Sequence, residues 1–203
     1  MLTVDGIAFS QGIIQVFPSQ PIYYSLGFPG TLDFAIDING DGSTDFILRS
    51  NDPQSSINTA FLIPQGNNQV VVFNSYAAAL NDGEPIGSSL SPVYQWSNAK
   101  TPISAAAFLI GSSGGVEEGN YVGLSAAYMG FNLVNNGTNY YGWMSVSSPI
   151  GDAAIYANIT SWAYQTSPNT SIPAGVVPEP SAWALLVLGC LALARRRSAN
   201  AVF

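Results

Sequence analysis

An all-β fold, an antiparallel β-sandwich or jelly roll, is what this sequence predicts. Three observations carry the prediction. Apolar and polar residues alternate with period two in several short runs, Gly, Pro, Asn and Ser break those runs at modest spacing, and residues 1 to 174 show no helical period. No fixed-period repeat occurs either. With 47% hydrophobic and 8% charged residues the chain can bury a large core despite 20 Gly and 13 Pro. A length of 203 residues suits one folded body with a short appendage. The expected division is a β-sandwich body over 1–174, a linker over 175–181, and a short C-terminal hydrophobic helix with a basic end over 182–203.

The first element is the run 31 to 38, where Leu32, Phe34, Ile36 and Ile38 oppose Thr31, Asp33 and Asp37. That is a half-buried strand. After a loop, Phe46 and Leu48 resume the pattern against Arg49, so the two runs form a hairpin. Further strands are expected at Gln69 to Phe73, Tyr121 to Leu133, Asn139 to Val146 and Ala153 to Tyr164. Asn136-Gly137 predicts a type I′ turn between the second and third of these, because both residues tolerate positive φ. In the last run Tyr156, Trp162 and Tyr164 share one face, and Ala153, Ile155, Ala157 and Ile159 the other. Such an aromatic face either packs under a second layer or stacks on sugar rings, packing being the commoner use. Gly175 to Pro180 has the composition of a linker.

Charge and chemistry narrow the function. Before Pro178 eleven acidic residues face only Arg49 and Lys100, a net charge of −9. So acidic a body cannot neutralise a phosphate backbone, which excludes nucleic acid as a partner. Histidine is absent and the lone cysteine, Cys190, lies in the apolar tail. The body therefore has no disulfide, no imidazole base and no Ser-His or Cys-His pair, and is predicted to be non-enzymatic. Glu84, Glu117, Glu118 and Asp152 are the carboxylates from which a glycosidase pair would be drawn, yet no spacing selects two of them. Glu117-Glu118 sits between Gly114-Gly115 and Gly119 and reads as a solvated loop.

One constellation in the body carries chemistry. Asp37, Asn39, Asp41 and Asp45 place side-chain oxygens at relative positions 1, 3, 5 and 9 of a loop, with the Ser43 carbonyl at position 7 and Gly42 at position 6. Calcium takes 6 to 8 hard oxygen ligands, and this spacing directs alternate donors to one point. The run is similar to the aspartate-rich loops of dockerin-type extracellular modules. Leu48 stands at position 12, where an EF-hand has its bidentate glutamate, so a modest affinity follows. Asp33, on the face of Asp37, would add an oxygen. A metal-free turn, with Asp and Asn bonded to their own backbone, would use the same residues.

The end of the chain is of another kind. Ala182 to Ala194 carries no charge, with Ala182, Trp183, Leu185, Leu186, Leu188, Leu191 and Leu193 supplying its apolar bulk, and Arg195, Arg196 and Arg197 follow at once. As a helix this segment reaches roughly 20 Å at about 1.5 Å per residue. That falls short of the hydrocarbon core, about 30 Å thick, but snorkelling arginines and local thinning permit a transient span. A buried core helix would leave three consecutive arginines to be paired in the interior. Positive charge stays cytoplasmic, which puts the body outside.

Val177-Pro178-Glu179-Pro180-Ser181, followed by that span and basic cluster, resembles the PEP-CTERM sorting signal of Gram-negative bacteria. The likeness extends more weakly into Tyr141-Gly142-Trp143-Met144, Ser161 to Tyr164 and Ile172 to Gly175. It implies a protein held in the inner membrane until an exosortase processes it near the Pro-Glu-Pro motif, then released or transferred to the cell surface, often alongside exopolysaccharide. The two prolines keep the motif extended and out of helix. The tail is also labelled after an ice-binding protein, but the sequence has no Thr-X-Thr array. Ser198 to Phe203 trail the arginines, and Met1 to Ser10 lacks the basic start and apolar run of a signal peptide. The expected protein is an exported cell-surface or extracellular-matrix protein with one structural calcium. A calcium-assisted exopolysaccharide-binding module is the alternative, and a polysaccharide-acting enzyme comes third.

Overall fold

Alternation in the sequence becomes strand register in the computed structural model of the chain, which describes residues 4–10, 12–20, 22–24, 30–52, 57–99, 107–113, 116–121, 123–147 and 157–177. The first eight strands are β1 (Val4–Ser10), β2 (Ile13–Pro18), β3 (Ile22–Tyr24), β4 (Gly30–Ile36), β5 (Phe46–Asp52), β6 (Ile57–Pro64), β7 (Gln69–Phe73) and β8 (Tyr76–Ala77). The rest are β9 (Pro85–Ile86), β10 (Gln95–Ser97), β11 (Ala107–Ser113), β12 (Val116–Glu118), β13 (Ala127–Asn135), β14 (Thr138–Ser147), β15 (Ala157–Gln165) and β16 (Ile172–Pro173). No helix occurs among the described residues, so the body is all-β. The main sheet runs β1-β2-β15-β14-β13-β7-β8-β11-β6-β5-β4 with β3, β10 and β12 at its sides, and β9 pairs with β16. Pairing is antiparallel, apart from one parallel contact between β8 and β11.

Both predicted hairpins form. In β4 and β5 the partners are Phe34 with Leu48 and Ile36 with Phe46. Asn136 and Gly137, at φ 49° and 76°, close β13 onto β14. Their mirror-image turn matches the twist of the strands. A second turn of this kind, Asn74-Ser75 at φ 49° and 69°, joins β7 to β8. It escaped the sequence reading because serine does not announce a positive φ.

The middle of the sheet is buried on both sides. Val70, Met144 and Trp162 belong to one apolar cluster, with Ile36, Phe46, Leu62 and Phe131. Their neighbours Val71, Trp143 and Ala163 belong to a second cluster, with Leu80, Ile86 and Ile172. Successive side chains leave a strand on opposite faces, so each of these strands feeds both cores. Gly142 lets them close: a Cβ there would overlap the Phe131 ring and come 2.5 Å from the Ala163 carbonyl oxygen.

The β14–β15 pairing slips, with Ser145 opposite Ser161 but Val146 opposite Ile159. This bulge inserts one residue and reverses the alternation beyond it. Ile159 therefore joins Trp162 and Tyr164 in the same cluster instead of opposing them. Trp162 and Tyr164 are buried, so that aromatic pair packs the core and offers no open stacking face. Tyr156 lies outside the described residues.

Candidate functional site

Ile36 and Phe46 are register partners, so residues 37–45 form the loop that closes β4 onto β5. Its polar side chains fold back on its own backbone. Asp37 Oδ1 accepts from Gly40 N at 2.7 Å and Oδ2 from Gly42 N at 2.8 Å. Asn39 Oδ1 accepts from Asp41 N at 2.9 Å, and Asp41 Oδ1 from Ser43 N at 2.8 Å. Asn39 Nδ2 donates to Asp41 Oδ2 at 3.0 Å. Gly40 and Gly42, at φ 76° and 87°, supply the turns these bonds require. The Ser43 amide and the Asn39 side chain hold the exposed Asp41 carboxyl below the usual carboxylate range.

Asp45 points inward and is 7% exposed. Its Oδ2 accepts from Ile38 N at 2.8 Å, and Trp162 Nε1 donates to the Ile38 carbonyl at 3.1 Å. Asn68 Nδ2 donates to the Asp45 carbonyl at 3.1 Å and more distantly to Oδ1 at 3.4 Å, while Asn68 Oδ1 accepts from Val134 N at 2.8 Å. Gln65 N also donates to the Asp45 carbonyl, at 2.9 Å. Asp45 and Asn68 thus tie the loop to the β6–β7 turn, to β13 and, through Ile38, to the core tryptophan of β15. Burial pushes the Asp45 carboxyl up to about 6; the Ile38 amide opposes this, and the charges of Asp37 and Asp41 add to it.

The expected calcium donors are brought into one loop, but not as one shell. Asp37, Asn39 and Asp41 are interlocked through backbone amides, Ser43 is exposed beside them, and Asp45 is buried beneath. Among the described residues no group of three or more acidic, histidine or cysteine side chains is assembled as a metal cluster. The donor chemistry of Asp37, Asn39 and Asp41, all hard oxygens within one turn, suits a calcium-type cation. Asp33 is not part of it, contrary to expectation. It is the register partner of Arg49 and accepts from Arg49 Nε at 2.7 Å and Nη2 at 2.6 Å. The guanidinium lowers the Asp33 pKa, chiefly through those bonds.

Beside the loop lies a cleft of about 200 Å³, walled by Asn39, Asp41, Ser43, Thr44 and Asp45, by Gln65, Gly66, Asn67 and Asn68, and by Leu133, Val134 and Asn135. Sequence reasoning missed the second and third walls. Their only local signal is amide-rich turn composition, which equally marks an idle turn.

The remaining candidates do not converge. Glu84 accepts from Asn81 N at 3.2 Å and from the Tyr94 hydroxyl at 3.4 Å, bracing its own loop. Glu117 and Glu118 belong to β12 and pair with Ser112 and Gly111, which corrects their reading as a loop. Asp152 lies outside the described residues. Val177 is the last residue described and is 50% exposed. Pro178, Glu179, Pro180, Ser181, the apolar segment and Arg195, Arg196 and Arg197 lie outside the described residues. Among the described residues no helix is long and apolar enough to cross a membrane. No family model, curated protein or solved structure matches the chain.

Proposed function

We propose that this chain is an exported cell-surface or extracellular-matrix protein of a Gram-negative bacterium, with a non-enzymatic body delivered by a C-terminal sorting tail. The observation that carries the reading is the order of Val177-Pro178-Glu179-Pro180-Ser181, the uncharged segment Ala182 to Ala194, and Arg195 to Arg197. An exosortase in the inner membrane is the partner this order calls for. The exposure of Val177 supports it, because a processing enzyme needs an accessible strip next to the body. The body is a β-sandwich on this reading, supported by apolar clusters on the two faces of the main sheet. Absence of histidine, with the single cysteine in the tail, supports a non-enzymatic role.

Calcium bound by Asp37, Asn39, Asp41, Ser43 and Asp45 completes the proposal as a structural cofactor. Its support is the 1, 3, 5, 9 spacing of side-chain oxygens and an acidic body with few cations. Two experiments test the reading. An epitope-tagged full-length chain is expected to lose the mass of its tail and leave the inner membrane only in cells with the exosortase; unchanged mass in both strains would sink the sorting proposal. Calcium is expected to raise the Tm of the wild type and leave Asp41→Ala unmoved; no shift in either would remove the cation.

A further inference from the structure

The aromatic pair that a sugar would stack on is buried, but the cleft beside the 37–45 loop offers hydroxyl-binding chemistry from another set of residues. Its walls are held still. Asn68 bonds Asp45 on one side and Val134 on the other, so the loop, the 65–68 turn and the end of β13 keep their spacing without a ligand. A frame held in this way leaves only the exposed side chains to be ordered when a ligand binds.

Two amides at the rim are uncommitted. Asn67 and Asn135 are exposed, line the cleft, and form no side-chain hydrogen bond among the described residues. Each presents two N–H donors and a carbonyl acceptor. A vicinal diol, whose hydroxyls both give and accept, is the complementary group. Asp41 and Asp45 also line the cleft and bring negative charge to it, and Arg49, the nearest cation in sequence, is engaged by Asp33. That balance disfavours phosphate, sulfate and carboxylate ligands, and the polar lining disfavours apolar ones.

We propose that this cleft binds a neutral, polyhydroxylated ligand, a pyranose unit of a glycan, through Asn67 and Asn135 with Asp41 as an acceptor for its hydroxyls. The inference rests on the surface-protein reading only for where such a glycan is met. A volume of about 200 Å³ admits a single ring, so the site grips one residue of a glycan chain.

The test uses the full-length chain in a sugar-free detergent, titrated with the methyl pyranosides of glucose, galactose and mannose, reading side-chain amide signals and the backbone amide signals of residues 65–68 and 133–135 by NMR, the latter also in the variant. At least one glycoside is expected to shift the Asn67 and Asn135 signals saturably, with a Kd in the millimolar range typical of a few polar contacts. The Asn67→Ala/Asn135→Ala pair, exposed and outside the core, is expected to weaken binding by about tenfold or more while keeping signal dispersion, a change of about 1.4 kcal/mol or more. No saturable shift from any of the three, or binding untouched by the double substitution, overturns the proposal. Repeating the titration after calcium is added separates it from the cation. A calcium-induced rise in Tm without glycoside shifts removes the glycan site and leaves the surface protein standing. Glycoside shifts in a protein indifferent to calcium keep the cleft and remove the metal.

Discussion

Strands β13 and β14 reverse direction in two residues, Asn136 and Gly137, whereas β4 and β5 use the whole of 37–45. The two hairpins solve the same problem by different means. The short turn is a backbone solution: positive φ at both residues matches the strand twist, and no side chain is needed. The long loop is a side-chain solution, since Asp37, Asn39 and Asp41 supply the acceptors its amides need, and Asp45 anchors it from below. Closing a longer loop costs chain entropy, which those bonds offset. It follows that the first hairpin depends on packing and the second on its side-chain acceptors.

The strongest way to break this comparison is inside the first hairpin. Gly142→Ala is expected to destabilise the protein by about 3 kcal/mol, because the Phe131 ring and the Ala163 carbonyl leave no room for a methyl group. Urea unfolding reads this, and a neutral result would show that the β13–β15 packing is loose. Next comes Asp45→Ala, expected to cost about 2 kcal/mol by stranding the buried Ile38 amide. Asp45→Asn, which keeps an acceptor there, is expected to recover most of the loss. Equal losses for both substitutions would mean that the anchor works through its charge.

A smaller effect separates the two turns. Gly137 and Gly42, at φ 76° and 87°, both have open space where a Cβ would stand. Without calcium, alanine at either is expected to cost about 1 kcal/mol, the backbone term alone. With calcium, Gly42→Ala is expected to cost more while Gly137→Ala stays put; identical behaviour would sever the loop from any cation.

Dependence on pH sharpens the contrast further. The buried Asp45 carboxyl is raised to about 6, so in calcium-free buffer its contribution is fully present below the ordinary carboxylate range and is lost as pH rises through about 6. Asp45→Asn is expected to flatten that fall. Asp33 works in the opposite sense: its pKa is lowered by Arg49, so its contribution is present above the ordinary range and is lost as pH falls through the lowered value. The smallest expected effect is that of Arg49→Ala, about 0.5 kcal/mol and erased by salt, since this ion pair is solvent-facing. A loss several times larger would make the pair a structural element of the second hairpin.

Alternation was legible wherever a strand ran unbroken, as in Phe34, Ile36 and Ile38, all turned toward one cluster. The loop's spacing was legible too, because Asp37, Asn39, Asp41 and Asp45 are neighbours in sequence and the first three bond within a few residues of themselves. Local amide acceptors are what make a loop's residues readable in order. Asp33 was misjudged for the converse reason: its partner is set by cross-strand register with Arg49, sixteen residues away.

From its sequence alone the chain determined a β body, its two hairpins, an oxygen-rich loop and a tail with the order of a sorting signal, since each is a pattern among adjacent residues. Tertiary structure decided three other things: that a bulge turns Ile159 toward Trp162, that Asp33 belongs to Arg49, and that Asn67, Asn135 and Asp41 line one cleft. Each depends on segments far apart in the chain meeting at a particular register. Periodicity settles which way a side chain points along its own strand, and only the pairing of strands settles what stands opposite it.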